Sequence, residues 1–323
     1  MAEHNALVLA IRPGSQDQSA LPILAKYGVV PSDPLLLEPR GLLGGVGPNN
    51  TNSDFQIVVL VRILFLANGT EFKDYYDDLI LPALQSERYW YTTDAINDDT
   101  MNSENHMILW MSSAWLLQEK EGWDMEDATL RQRLVHFLTI KIEYGYYEFL
   151  SITYWPLTFA GLMNLVDFCV DEEIRVLAEG AVRRLVADIV LFVNDKGIHY
   201  SAAGRDYAER FLEEPLSLPQ DAIVYLVTGL GRKPKRSVGF SGFLSTSSFD
   251  FCVEVSEWQS SEDTTYRYGH TLEESFKINA GLEKYDRTVF QWSQGSNPFA
   301  SPRRQLALCV WHPFSHSICF LVS

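Results

Sequence analysis

Three short polar clusters interrupt an otherwise apolar, helix-patterned stretch: Ser103-Glu104-Asn105-His106, Ser151-Ile152-Thr153-Tyr154-Trp155 and Gly204-Arg205-Asp206-Tyr207. The Asn105 amide can donate to a carboxylate, and a neutral His106 can accept a proton. Arg205 is suited to bidentate recognition of a carboxylate. The run EYGYYEFLSITYW at 143–155 is the densest aromatic stretch of the chain. Its Tyr147, Tyr154 and Trp155 suit a sugar-binding cleft, where pyranose faces stack on rings and hydroxyls take polar partners. Tyr200 and Tyr207 bring phenols to either side of Arg205. Consecutive clusters lie roughly 50 residues apart, about one two-helix repeat.

The elements that must position these groups read as helices of two alternating kinds. DFQIVVLVRILFLANGT (54–70) suits a buried helix capped by Asp54 and ended near Asn68-Gly69. EFKDYYDDLILPALQ follows, with a break expected near Pro82. SENHMILWMSSAWLLQEKEGW is apolar nearly all round between Met107 and Leu117, the mark of an inner helix. DMEDATLRQRLVHFLTIKIEYG is amphipathic, and its pattern puts Arg131, Arg133 and Lys141 on the wet side. TYWPLTFAGLMNLVDFCV is again buried in character, with Pro156 tolerated in the first turn. DEEIRVLAEGAVRRLVADIVLFVND is amphipathic and opens on three acids that favour a helix start. GRDYAERFLEE begins another helix.

Buried, amphipathic, buried, amphipathic reads as a mainly α chain folded as an α/α toroid or an α/α-solenoid relative; a plain helical bundle could mimic the pattern but would not require the regular switch. Inner helices are hidden on all sides, and outer helices keep one solvated face. If every second helix lines the inside of one ring, the three clusters share one mouth of it.

The division that follows is an irregular segment over 1–53, rich in Pro and Gly, a toroid domain over 54–215, and a linker with a mixed or β region over 216–323. In the last of these, LPQDAIVYLVTGLGRKPKRS reads as a helix and a basic linker. SVGFSGFLSTSSFDFCVEVSEWQ alternates Ser, Phe and Val as strands do. The tail LALCVWHPFSHSICFLVS ends on an apolar run, which fits burial in a sheet or a chain that stops short of the natural domain. About four inner helices are visible, fewer than a closed ring of hairpins needs.

Composition excludes more than it names. A hydrophobic fraction of 46% supports a real core, and a formal charge of -16 argues against nucleic acid and anionic membrane as partners. Cys169, Cys252, Cys309 and Cys319 form no CxxC pair, so neither zinc nor a redox dithiol is indicated. His312 and His316 lack the glutamate that a HExxH metal motif needs, and His4, His136 and His270 stand without a supporting pattern. No phosphate-binding or dinucleotide fingerprint is present, and no cofactor is implied. The apolar run at the N-terminus is too short for a signal h-region. No run reaches the ~18 apolar residues of a membrane span; the nearest, Ile57 to Ala67, carries Arg62.

Each cluster also has a plainer reading. Glu104 to His106 can be a satisfied helix start with His106 packed beside Trp110, 143–155 a packed tyrosine-rich loop, and Arg205 a surface ion pair.

The Asn-His pair leading a buried aromatic-bearing helix, SENHMILWMSSAWLL, resembles the Asn-Asn-His motif of α/α-toroid polysaccharide lyases, the alginate-lyase and heparinase II/III-like group. YGYYEFLSITYWPLTFAGLMNLVDF and HYSAAGRDY resemble bacterial toroid proteins of the same kind. The resemblance covers about residues 54–212, with Glu104 standing where the motif has its first Asn. It implies β-elimination on a uronic acid within an oligo- or polysaccharide, an anionic partner. Asn105 and Arg205 would quench the carboxylate as charge develops. His106 or an ionised tyrosine would take the C5 proton, and Tyr200 or Tyr207 would protonate the leaving oxygen, with Tyr154 lining the cleft. Two alternatives stay open. One is a glycoside hydrolase on the same scaffold with two carboxylates from Glu104, Glu143, Glu148 and Asp206. The other is a toroid that binds glycan or protein without catalysis.

Overall fold

The structure is a computed structural model that describes residues 21–26, 42–47, 52–67, 71–87, 104–125, 129–146, 148, 151, 154–193, 197, 219–231, 240–251, 265–268 and 318–321. The described helices are α1 (Leu21–Lys26), α2 (Asp54–Leu66), α3 (Glu71–Gln85), α4 (Glu104–Glu121), α5 (Leu130–Tyr144), α6 (Trp155–Phe168), α7 (Glu172–Phe192), α8 (Pro219–Thr228) and α9 (Ser241–Thr246). A 3-10 turn occupies Leu43–Gly45. Two strands, β1 (Thr265–Tyr268) and β2 (Ile318–Leu321), pair antiparallel with Thr265 opposite Leu321.

Helices α2, α4 and α6 form one layer, each packed on the other two. Their residues are buried on nearly every face, as the all-round apolar sequence requires. Contacts at matching depth show that the three run the same way. Asp54 and His106 meet at the starts of α2 and α4. Midway, the Asn164 amide of α6 donates to the Val58 carbonyl of α2. Near the far ends, the Phe65 and Phe168 rings stack with centroids 4.7 Å apart. There too, Glu119 of α4 accepts the backbone N–H groups of Val170 and Asp171, just past α6. Gly161 lets α6 approach α4 closely, since a Cβ there would lie 3.2 Å from both the Ile108 side chain and its carbonyl oxygen.

Helices α3, α5 and α7 return the chain, packing respectively on α2, α4 and α6, and α5 also packs on α7. Asp171 caps α7 by accepting from the Glu173 and Ile174 N–H groups, and Arg131 at the start of α5 holds the same carboxylate at 2.8 Å.

One buried cation ties the inner layer to α9. Arg62 of α2 is 0% exposed. It donates to Thr246 Oγ1 and the Phe243 carbonyl on α9, and to Asn164 and Asp167 on α6. Its guanidinium lies 5.1 Å from both the Phe168 and Phe243 ring centroids. The charge that interrupts the longest apolar run of the sequence is therefore the hub of this buried contact. Among the described residues no helix is long and apolar enough to cross a membrane.

Four expectations need correction. Helix α3 runs through Pro82 to Gln85, because Pro82 sits in the last turn and forfeits only its own N–H bond; its carbonyl still accepts from Ser86. Asp54 is the first residue of α2 rather than its cap, and the cap position belongs to Ser53. Arg133 and Lys141 are buried rather than on the wet face of α5, Lys141 because an acid lies across from it. The described part of the expected strand region, 240–251, holds α9: Phe243 and Leu244, adjacent in sequence, are both buried, and a helical turn delivers the Phe243 carbonyl to Arg62.

Candidate functional site

The leading ends of α2, α4 and α6 gather two of the three polar clusters with the loop before α6. Helix α4 begins at Glu104, so Glu104, Asn105 and His106 occupy its first turn. Helix α6 begins at Trp155 with Pro156 in its first turn and Tyr154 at the cap position. Tyr154 donates its N–H to Ser151 Oγ at 3.2 Å, and its carbonyl accepts from Leu157 and Thr158. Ser103, Tyr147, Tyr200, Arg205, Asp206 and Tyr207 lie outside the described residues, as do His4, His270, His312 and His316.

The His106 Nδ1 lies 2.6 Å from Asp54 Oδ2, and the Phe55 ring stacks on the imidazole with centroids 4.8 Å apart and planes 27° off parallel. Two successive residues of α2 therefore grip one ring, at its edge and at its face. The histidine packs on Phe55 and Asp54. Burial pushes the Asp54 carboxyl above the usual carboxylate range; the hydrogen bond and charge of His106 and nearby backbone N–H groups work against that rise. Among the described residues the other carboxylate oxygen of Asp54, Oδ1, is buried and meets no side-chain hydrogen-bond donor.

Beside this pair is a second buried set. Asn105 donates its side-chain amide to both Glu148 oxygens, at 2.8 and 2.7 Å, and its backbone N–H to Glu148 Oε2 at 3.2 Å. Lys141 of α5 reaches Glu104 Oε2 at 2.5 Å, and the Glu148 N–H donates to Glu104 Oε1. One ammonium thus faces a pair of linked carboxylate residues, inside a wall made by the Phe137 and Tyr146 rings at 5.1 and 5.7 Å from Lys141 Nζ. Tyr146 donates its hydroxyl to the Ala181 carbonyl. Burial, with Glu104 and Asp188 adding to it, holds this phenol well above its ordinary pKa, so it stays protonated and is no base.

Every described member of the predicted site is enclosed: Glu104 is 2% exposed, Asn105 0%, His106 1%, Tyr154 6% and Trp155 3%. Trp155 packs edge-on against Phe159 at 5.7 Å. Of the carboxylates considered for hydrolysis, Glu104 and Glu148 are engaged as described, while Glu143 is exposed on α5. His136 is half-buried on α5, and burial lowers its pKa. The Cys169 thiol is pushed up to about 12 by burial and then by Glu119, which makes it a poor nucleophile. Among the described residues no cluster of three His, Cys, Asp or Glu side chains is arranged to hold a metal ion.

Asp54 and Lys141 are the members that sequence reasoning missed. Asp before an apolar run reads as a cap, and a lysine in an amphipathic pattern reads as solvated. The one available signal was topological: if alternate helices start at a common end, the first residues of 54–66 and 104–121 must meet.

Comparison of the chain with known protein families, with curated proteins and with solved structures finds no match.

Proposed function

We propose that this chain is an α/α-toroid protein of polysaccharide-lyase type, cleaving a uronate-containing glycan by β-elimination. The observation that carries the reading is the meeting of the α2, α4 and α6 leading ends, which sets His106 in a fixed orientation at the shared end. In the reaction His106 takes the C5 proton. The C5–H electron pair becomes the C4–C5 double bond, the C4–oxygen bond breaks, and Tyr200 or Tyr207 protonates the departing oxygen. Arg205 pairs with the uronate carboxylate. Asn105 contributes by holding Glu148, its amide being engaged there. The toroid ring, the mixed C-terminal region and the cleft role of Tyr147, Tyr154 and Trp155 belong to the same proposal.

A second reading is favoured by the burial of Glu104, Asn105 and His106 itself, which leaves a polymer little access to the imidazole, and by the engagement of Glu104 and Asn105 by Lys141 and Glu148. In it the polar cluster is a structural lock between α4, α5 and the loop before α6, and the chain binds glycan or protein without catalysis. Ultraviolet absorbance of the unsaturated uronide product, followed during incubation with alginate, heparan-type and pectin-type polymers, separates the two. The lyase reading expects a rise with at least one polymer that His106→Ala abolishes. A flat trace with all of them favours the second.

A further inference from the structure

We propose that Asp54 is the positioning residue of His106: its carboxylate accepts the Nδ1 proton, which fixes the ring and leaves Nε2 as the basic nitrogen. The inference rests on the reading of His106 as the base, and it adds a residue from a different helix to that site.

A neutral imidazole has one N–H donor and one acceptor, and the partner of one nitrogen decides the state of the other. Asp54 Oδ2 faces Nδ1 at 2.6 Å, close enough for a hydrogen bond to the ring nitrogen. A charged Asp54 can only accept and selects the Nδ1–H form, whereas a protonated one would donate to Nδ1 and leave the Nε2–H form, the alternative that the experiment below separates. Phe55 stacks on the imidazole face, so neither rotation about the ring axis nor tilting is free. Both anchors are consecutive residues at the start of α2, and His106 is in the first turn of α4, two helices packed along their length. Catalytic geometry must be held to within a fraction of an ångström, and helix-borne side chains do that better than loop-borne ones.

A purely structural role explains the arrangement less well. An apolar pair would fill the same space without burying a carboxylate. During proton abstraction the charge forms on the imidazole, and the adjacent carboxylate stabilises it without itself taking the proton.

The experiment is nitrogen NMR of the full chain with labelled imidazoles, His106 being assigned by loss of its signals in His106→Gln among the seven histidines. The proposal expects a protonated Nδ1 with a strongly downfield proton, and an unprotonated Nε2. In Asp54→Asn, with far-UV circular dichroism unchanged, the downfield proton is lost and the Nε2–H form gains population. An Nε2–H tautomer in the unmodified chain overturns the proposal, as does a tautomer that Asp54→Asn leaves unaltered. Where a uronate polymer is cleaved, Asp54→Asn lowers kcat by about 100-fold or more with little change in KM; an unaltered kcat overturns the positioning role. The expected tautomer in a chain that cleaves no uronate supports the Asp54 assignment and sinks only the lyase reading.

Discussion

Replacing Arg62 with methionine tests the packing account most severely. The guanidinium makes hydrogen bonds of 2.7 Å to Thr246 Oγ1, 3.0 Å to Asn164 Oδ1, 2.7 Å to Asp167 Oδ2 and 2.9 Å to the Phe243 carbonyl. Methionine fills much of the same volume but supplies no donor, so the change isolates the polar loss from a cavity. It leaves Oδ2 of a carboxylate whose side chain is only 5% exposed without its cation, and leaves the Phe243 carbonyl with the Thr246 hydroxyl in place of two donors. Removing one partner of a buried ion pair costs about 3–5 kcal/mol. That is a fifth or more of the roughly 5–15 kcal/mol that holds a domain folded. At a urea m-value near 3 kcal/mol/M, the midpoint should fall by about 1–2 M. Asp167→Asn in the same background removes the uncompensated charge and keeps Oδ1 as an acceptor for Ser247 and Ser248, so it should restore part of the loss. A midpoint in Arg62→Met within about 0.3 M of the parent, or strict additivity of the two substitutions, would refute the reasoning.

The other expectations concern the layer contacts. Lys141→Met leaves Glu104 buried without its ammonium and should cost about 3–5 kcal/mol in urea unfolding, with Glu104→Gln in that background recovering part of it. Gly161→Val pushes α6 off α4, because even a Cβ would crowd the Ile108 carbonyl; a loss of about 1–3 kcal/mol is expected, and none would mean the helices are not so close. Asp171→Ala removes the α7 cap and should cost about 1 kcal/mol at neutral pH. The hydrogen bond from Arg131, above all, holds the Asp171 carboxyl below its ordinary pKa of 3.8. Its contribution is therefore present above that value and lost as pH falls through the lower folded one, so the gap between parent and variant should close in acid.

How far the sequence carried depends on whether the information was local. Helices α4 and α6 are legible because Met107 to Leu117 and Leu157 to Val166 are apolar all round, which only a helix hidden on every side tolerates. The cap of α7 is legible because Asp171 and the acids after it match a helix start. Local pattern fails where a partner lies far along the chain. Lys141 reads as solvated until Glu104, 37 residues earlier, is placed opposite it. Asp54 reads as a cap until His106, 52 residues later, takes its carboxylate. Ser and Phe near alternation over 237–259 mimics a strand, yet the need of buried Arg62 for the Phe243 carbonyl and Thr246 hydroxyl is met by a helical turn. The placement of Glu104, Asn105, His106, Tyr154 and Trp155 at helix starts follows from pattern, whereas the engagement of Asn105 by Glu148 does not.

The most direct measurement of the central claim is a crystal structure of the chain with an unsaturated uronate trisaccharide bound. The uronate ring is expected at the shared end of α2, α4 and α6, with its C5 region against His106 Nε2 and Asp54 still on Nδ1. Sugar bound elsewhere, with His106 still enclosed by packed side chains, would contradict it.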